Sequence, residues 1–315
     1  MLAVFLTLAL AVAADDQGLA SLSAADERVA AIAWQLQTVD ASLCSETAPL
    51  PGFTVQTLAQ YQPSVRASVL SRHHFERRPI VQTVAVGGPA NRAGLRKGDV
   101  LLEINGVATP RELPLTASYG ATAKTQALID TALAKPPLIL RIMRGRLRKT
   151  MRLIGIAGCA SRVEIVTEGN LNAQADGQNI LITGSLVDFA DNDDELATII
   201  AHELAHNILH HKVRLDSEKT ARGLFARFGR RGGQIRETEF DADRMAVWLL
   251  ARAGYDVDRV VPFWMRLGQR AGVSDTSDGT HPGWNERIDR AAAAVVEVKA
   301  QRAAGVPLLP TKLGR

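Results

Sequence analysis

Residues 193–211 read DDELATIIAHELAHNILHH, and the character of the chain turns on this stretch. Leu196, Ile199, Ile200, Leu204, Ile208 and Leu209 recur at three- and four-residue spacing, which predicts one helix through to His211. Asp191, Asn192 and Asp193 offer N-caps, while Asp194 and Glu195 suit the positive end of the helix. His202 and His206 stand four residues apart, so their rings lie one above the other on a single face. Two imidazoles so placed can reach one Zn²⁺ ion at about 2.0–2.1 Å. Glu203 follows the first of them and leans toward the water such an ion would bind, where it can act as general base.

A catalytic zinc site needs a third protein ligand and an open position. Residues 237–253 read ETEFDADRMAVWLLARA, a second helix that Gly254 can end. Glu239 and Asp243 are again four apart. Either carboxylate can bind the metal while the other accepts an N–H from a ligand histidine. His210 and His211 extend the first helix. A further ligand one turn beyond His206 would tilt away from the ion, which leaves them structural roles or support behind the ligands.

With these residues in hand, the chain resembles the gluzincins of metallopeptidase family 48, the group that holds the CAAX prenyl proteases. The motifs are His202-Glu203-x-x-His206 and Glu239-x-x-x-Asp243. The Asn172-Ala173 loop, the strand Asn179–Thr183 running into Gly184, and Asp194-Glu195-Leu196 support them. The resemblance covers about residues 160–295. It implies one Zn²⁺ per chain with Glu239 as third ligand, and Asp243 behind the ligands. It implies His281, in Thr280-His281-Pro282, beside the substrate where it steadies the oxyanion. It also implies Arg287 on the closing helix, tied back to a site carboxylate.

Upstream, residues 79–86 and 100–104 suit strands, with Gly87-Gly88-Pro89 as a turn and Asn105-Gly106 as a hairpin signal. A helix at 121–134 stops at Pro136-Pro137, and strands follow at 138–143 and 150–154. Gly88-Pro89-Ala90, Ala93-Gly94-Leu95, Lys97-Gly98-Asp99-Val100-Leu101 and Ile104-Asn105-Gly106 give this stretch a resemblance to PDZ domains of the bacterial protease type, over about residues 65–155. Such domains bind peptide by adding a strand to a sheet edge. The family's Gly-rich carboxylate loop is expected ahead of the Pro79 strand. Residues 71–78 read SRHHFERR there, without glycine, so capture of a free C-terminus is not expected. Ile180-Leu181-Ile182 reads either as an edge strand for extended substrate or as a core strand. Between His206 and Glu239 lie 32 residues, basic and marked by Gly229, Gly232 and Gly233, which suit a mobile lid or a membrane-surface contact.

Residues 2–14 (LAVFLTLALAVAA) are apolar but too short to span a bilayer as a helix. With the Ala11-Val12-Ala13 pattern they read as a secretory signal peptide lacking basic residues, an uncleaved anchor being the other reading. Cys44 and Cys159 then suit one disulfide. A composition of 46% apolar and 22% charged residues excludes a disordered or collagen-like chain. The net charge of +4 does not argue for nucleic acid. It is unevenly spread: residues 62–152 hold 16 basic and 5 acidic residues, residues 156–211 hold 1 and 9. A basic face suits anionic lipid or an acidic partner.

The expected fold is α+β: a mainly helical catalytic domain with a small sheet, preceded by a PDZ-like β domain and an N-terminal helix. The expected boundaries are a signal peptide at 1–14, helix and linker at 15–62, the PDZ-like domain at 63–155, the zinc domain at 156–300 and a tail at 301–315. The expected function is an exported zinc metalloendopeptidase of the periplasm or cell envelope, membrane-associated in one reading. It would cut envelope proteins in quality control, with protein or peptide substrates and no nucleic acid. The rival is a non-catalytic PDZ adaptor on a zinc-stabilised scaffold.

Overall fold

The computed structural model describes residues 16–39, 41–73, 77–167, 169–222, 230–272 and 283–310. The signal-peptide reading and His281 lie outside these residues. The chain divides into two compact units. One holds residues 1–34, 48–158 and 165–169; the other holds 35–47, 159–164 and 170–315. The fold is α+β, as expected.

The first unit contains most of α1 (Asp16–Val39) and of β1 (Thr47–Leu50), then β2 (Phe53–Gln56), α2 (Arg66–His73), β3 (Ile80–Val84), α3 (Pro89–Arg92), β4 (Val100–Ile104), β5 (Val107–Ala108), α4 (Gly120–Leu133), β6 (Leu138–Arg144), β7 (Leu147–Leu153) and all of β8 (Ile156–Cys159) but Cys159. Its main sheet is antiparallel in the order β2-β3-β4-β6-β7, with β5 on β4, and β1 pairs with β8 separately. Successive strand residues point to opposite faces. Thus Val81 and Leu101 pack against Ile129 and Leu133 of α4, while Ile80 and Val100 pack against Leu19, Leu58, Tyr61 and Val69. Both faces are covered, which is why these strands read as nearly continuous apolar runs.

Two expectations are corrected here. Residues 48–62 are not a linker: they carry β2, the sheet's edge strand, so the unit does not begin at 63. The Pro79 strand, β3, lies between β2 and β4, so among the described residues the free edges belong to β2 and β7. The turn ahead of the β2 edge is Pro51-Gly52, where Gly52 takes φ +76°, a conformation that favours glycine. Strand addition therefore has to be sought after Gly52 and not after residues 71–78.

The second unit contains most of β9 (Arg162–Val166), then β10 (Ala173–Ala175), β11 (Asn179–Thr183), α5 (Gly184–Phe189), α6 (Asp193–Ile208), α7 (His211–Arg222), α8 (Arg230–Ala253), α9 (Val260–Ala271) and α10 (Trp284–Ala303). Its sheet runs β10-β11-β9, so Ile180-Leu181-Ile182 is a middle strand and β10 and β9 are the edges. Leu196, Ala197, Ile200, Ala201, Leu204 and Ala205 of α6 are all within 1% of full burial, so this helix is enclosed on more than one face. Asn192 caps it, accepting the Glu195 N–H at 3.0 Å. Gly232 and Gly233, read as part of a mobile segment, lie inside α8.

The helix predicted through His211 stops at Ile208. Ser45 explains the stop: its Oγ donates to the Ile208 carbonyl at 2.7 Å and accepts from His210 Nε2 at 2.7 Å. Neighbouring Cys44 is disulfide-bonded to Cys159, with Cα atoms 5.4 Å apart and a sequence separation of 115. Closing a loop of that length contributes on the order of 4–5 kcal/mol by chain entropy. Replacing both cysteines by serine should lower unfolding stability by up to that amount, and denaturant titration of the paired proteins measures it. Unchanged stability would mean that the link does not constrain the unfolded chain.

Candidate active site

The period of α6 brings His202 and His206 onto one face, and α8 sets Glu239 opposite them. His206 Nε2 is 3.1 Å from His202 Nε2 and 3.7 Å from Glu239 Oε1, and His202 Nε2 is 3.5 Å from Glu239 Oε2. Two atoms each about 2.0–2.1 Å from a tetrahedral ion stand roughly 3.3–3.4 Å apart. The three donors bracket that spacing, and two nitrogens with one carboxylate suit zinc in type as well as in number.

Behind His202 stands Asp243, which is 2% exposed; its Oδ1 is 2.9 Å from His202 Nδ1. Arg287 holds the same carboxylate with two hydrogen bonds of 2.8 Å, from Nε and Nη2. The guanidinium itself lies 5.3 Å from the Trp264 ring and 5.2 Å from the Trp284 ring. The sequence gives no sign of these two tryptophans as parts of the site, because only tertiary packing brings them there. His211 is also present: its Nδ1 is 3.0 Å from His206 Nδ1.

Electrostatics agree with a cation site. Burial alone would lower His202, but the closeness and charge of Asp243 together with Glu239 more than offset it and lift the ring to about 10. Burial would raise Glu239 and Asp243, yet His202 and Arg287 hold both below the usual carboxylate range. The carboxylates thus demand a positive charge between them. Arg287 meets part of that demand, and a bound metal ion would meet the rest in place of a proton on His202. Burial pushes His206 down to about 4, with His202 adding to it, so that ring is neutral as a ligand must be.

Glu203 faces the same cleft, a cavity of about 410 Å³ also lined by Asn172, Ala173, Ala175, Trp264 and Trp284. Burial pushes its carboxyl up to about 7, and the Ala175 backbone N–H of edge strand β10 hydrogen-bonds to it. The structure therefore gathers His202, Glu203, His206, Glu239, Asp243 and Arg287 at one place. Of the proposed site residues, only His281 falls outside the description.

The family model described as peptidase family M48 matches residues 143–295. Residues 143–295 are thus similar to peptidase family M48, a likeness that supports a metallopeptidase role, and the His-His-Glu cluster lies within the matched residues. The PDZ domain model matches residues 80–129. A crystal structure of the HtrA3 PDZ domain bound to a phage-derived ligand (FGRWV) is 22% identical, covering 36% of this chain and 89% of that chain, with a TM-score of 0.26.

The buried Asp243–Arg287 pair predicts two separable effects. Arg287→Met strands a buried carboxylate and should cost about 3–5 kcal/mol of stability. Asp243→Asn should weaken zinc binding about 10–100-fold, as expected when a ligand histidine loses its orienting partner. Melting curves and chelator competition on the same samples measure both. Wild-type behaviour in both variants would dissolve the network.

Proposed function

We propose that this chain is an exported zinc metalloendopeptidase that cuts proteins or peptides, with envelope proteins in quality control as its substrates. The observation that carries the reading is the cluster of His202, His206 and Glu239 with Glu203 beside it in one cleft. Zinc bound by the three ligands would supply a Lewis acid that polarises the scissile carbonyl and acidifies water. Glu203 takes the proton of the attacking water and returns it to the leaving amine. A carboxyl that burial pushes to about 7 is matched to both transfers near neutral pH. The outer edge of β10 offers backbone groups to an extended peptide. The PDZ unit, through its β2 edge, would hold a second segment of the substrate.

Export is supported by the apolar run 2–14 and by the disulfide, since such links persist in oxidising compartments. No helix of the described residues is long and apolar enough to cross a membrane. The non-catalytic adaptor is the weaker reading, because a purely structural zinc site has no use for Glu203. Casein hydrolysis that a chelator abolishes and zinc restores would support the enzyme. In the same assay Glu203→Gln should keep its zinc and lose about 10²–10⁴ in rate. Wild-type rates in Glu203→Gln would sink the mechanism, and loss of its zinc would make Glu203 a ligand.

A membrane-surface contact has its best support in the β6–β7 hairpin. Arg146, Arg148, Lys149 and Arg152 are exposed there, beside Leu147 at 64% exposure. Each cation near an anionic surface is worth about 1 kcal/mol. The chain should sediment with phosphatidylglycerol vesicles at low salt and not with phosphatidylcholine vesicles. Arg146→Glu with Arg148→Glu should release it, and equal binding by that variant would remove the hairpin from the contact.

A further inference from the structure

We propose that His211 is a positioning residue of the metal centre: it accepts the Nδ1–H of His206 and thereby fixes that ring with Nε2 turned to the other ligands. This rests on the zinc reading above. The geometry leaves one arrangement of protons. His206 Nε2 belongs to the cluster with His202 Nε2 and Glu239, so as a ligand it must present a lone pair there. The remaining proton of a neutral imidazole is then on Nδ1. That atom faces His211 Nδ1 at 3.0 Å with the rings at 81°. Two ring nitrogens at this distance share one proton, so His211 Nδ1 is the acceptor and its own proton sits on Nε2.

His211 is 1% exposed, and its Nε2 has no hydrogen-bond partner among the described residues. Burying an unsatisfied donor costs about 1–3 kcal/mol. A leucine at this position would avoid that cost, so the contact with His206 is what a histidine here provides.

The backbone is shaped to make the contact. On an uninterrupted helix a residue five beyond His206 would lie roughly 140° around the axis, on another face. Instead α6 ends at Ile208, His210 takes φ 53°, and α7 starts at His211. A non-glycine residue at positive φ is uncommon. The turn swings the His211 ring back onto the His206 ring.

The two ligand histidines are therefore supported differently. His202 leans on a carboxylate, Asp243, and His206 on a neutral ring. Zn²⁺ with Glu203, Glu239, Asp243 and Arg287 is already formally neutral, so a second supporting carboxylate would leave the centre anionic. A neutral acceptor orients His206 without adding charge.

The test uses the full chain with its disulfide intact. Asn places Oδ1 two bonds from Cβ, as Nδ1 is in His, and so keeps the acceptor; Leu removes it. Zinc dissociation constants from chelator competition should rise about 10–100-fold in His211→Leu and stay within a few-fold of wild type in His211→Asn. The metal-free His211→Leu protein should melt no lower than wild type. A His211→Leu protein that melts lower yet binds zinc as well as wild type would make His211 structural and overturn the proposal. Should the His211→Leu protein misfold, nitrogen-15 spectra of the labelled wild-type histidines decide independently. Nε2–H on His211 supports the assignment and Nδ1–H on His211 overturns it. A wild-type chain that takes up no zinc would sink the zinc reading itself, whichever tautomer is seen.

Discussion

One buried carboxylate organises the second unit. Asp243 is 2% exposed, and a charge so placed has to be paired. It takes the Arg287 fork on both oxygens and meets His202 Nδ1 with one of them. Arg287 in turn lies close to the faces of Trp264 and Trp284. The four elements α6, α8, α9 and α10 thus converge on a single ion pair. The orientation of His202, and with it the position of the donor cluster, follows from where that pair sits. Replacing one partner would leave the other charged and dry, so the centre and the packing around it stand or fall together.

The electrostatics of the site divide its acids and bases by environment. Glu239 and Asp243 are held as anions by His202 and Arg287, whereas Glu203 is pushed up by burial to about 7. Carboxylates gathered at one site are thereby held in different protonation regimes. Two stay charged to hold or orient, and one can exchange a proton near neutral pH. The Ala175 N–H adds a fixed donor to that one, from a strand at the edge of its sheet, where an extended chain can pair.

The central residues of the site were legible in the sequence because they obey a local rule. His202 with His206, and Glu239 with Asp243, lie four apart on helices that the apolar pattern already announces. Asn192 as cap and the α6 start were readable for the same reason. What was not legible depends on distant contacts. Residues 207–211 read as continuing helix, with neither glycine nor proline to stop it. The short strand β2 hides between Pro51-Gly52 and a 3-10 turn at Leu58–Gln60, and only its pairing with β3 reveals it as the sheet edge. Trp264 and Trp284 carry no spacing that links them to Arg287.

The end of α6 shows why such features escape a local reading. A helix leaves its last carbonyls without partners, and these must be satisfied from elsewhere. Here Ser45 reaches the Ile208 carbonyl across a sequence separation of 163 and receives His210 as a second partner. Ser45 is held in turn by the disulfide at Cys44. Across the same end, Asn207 ties α6 to the sheet, accepting from the Gly177 N–H at 2.8 Å and donating to Ser161 Oγ at 3.0 Å. Ser161 follows closely on Cys159, the other end of the disulfide. The disulfide, the helix end and the turn that aims His211 at His206 are therefore successive links of one chain of contacts. A covalent bond far from Glu203 in sequence reaches the His-His-Glu cluster through the C-terminal turn of α6.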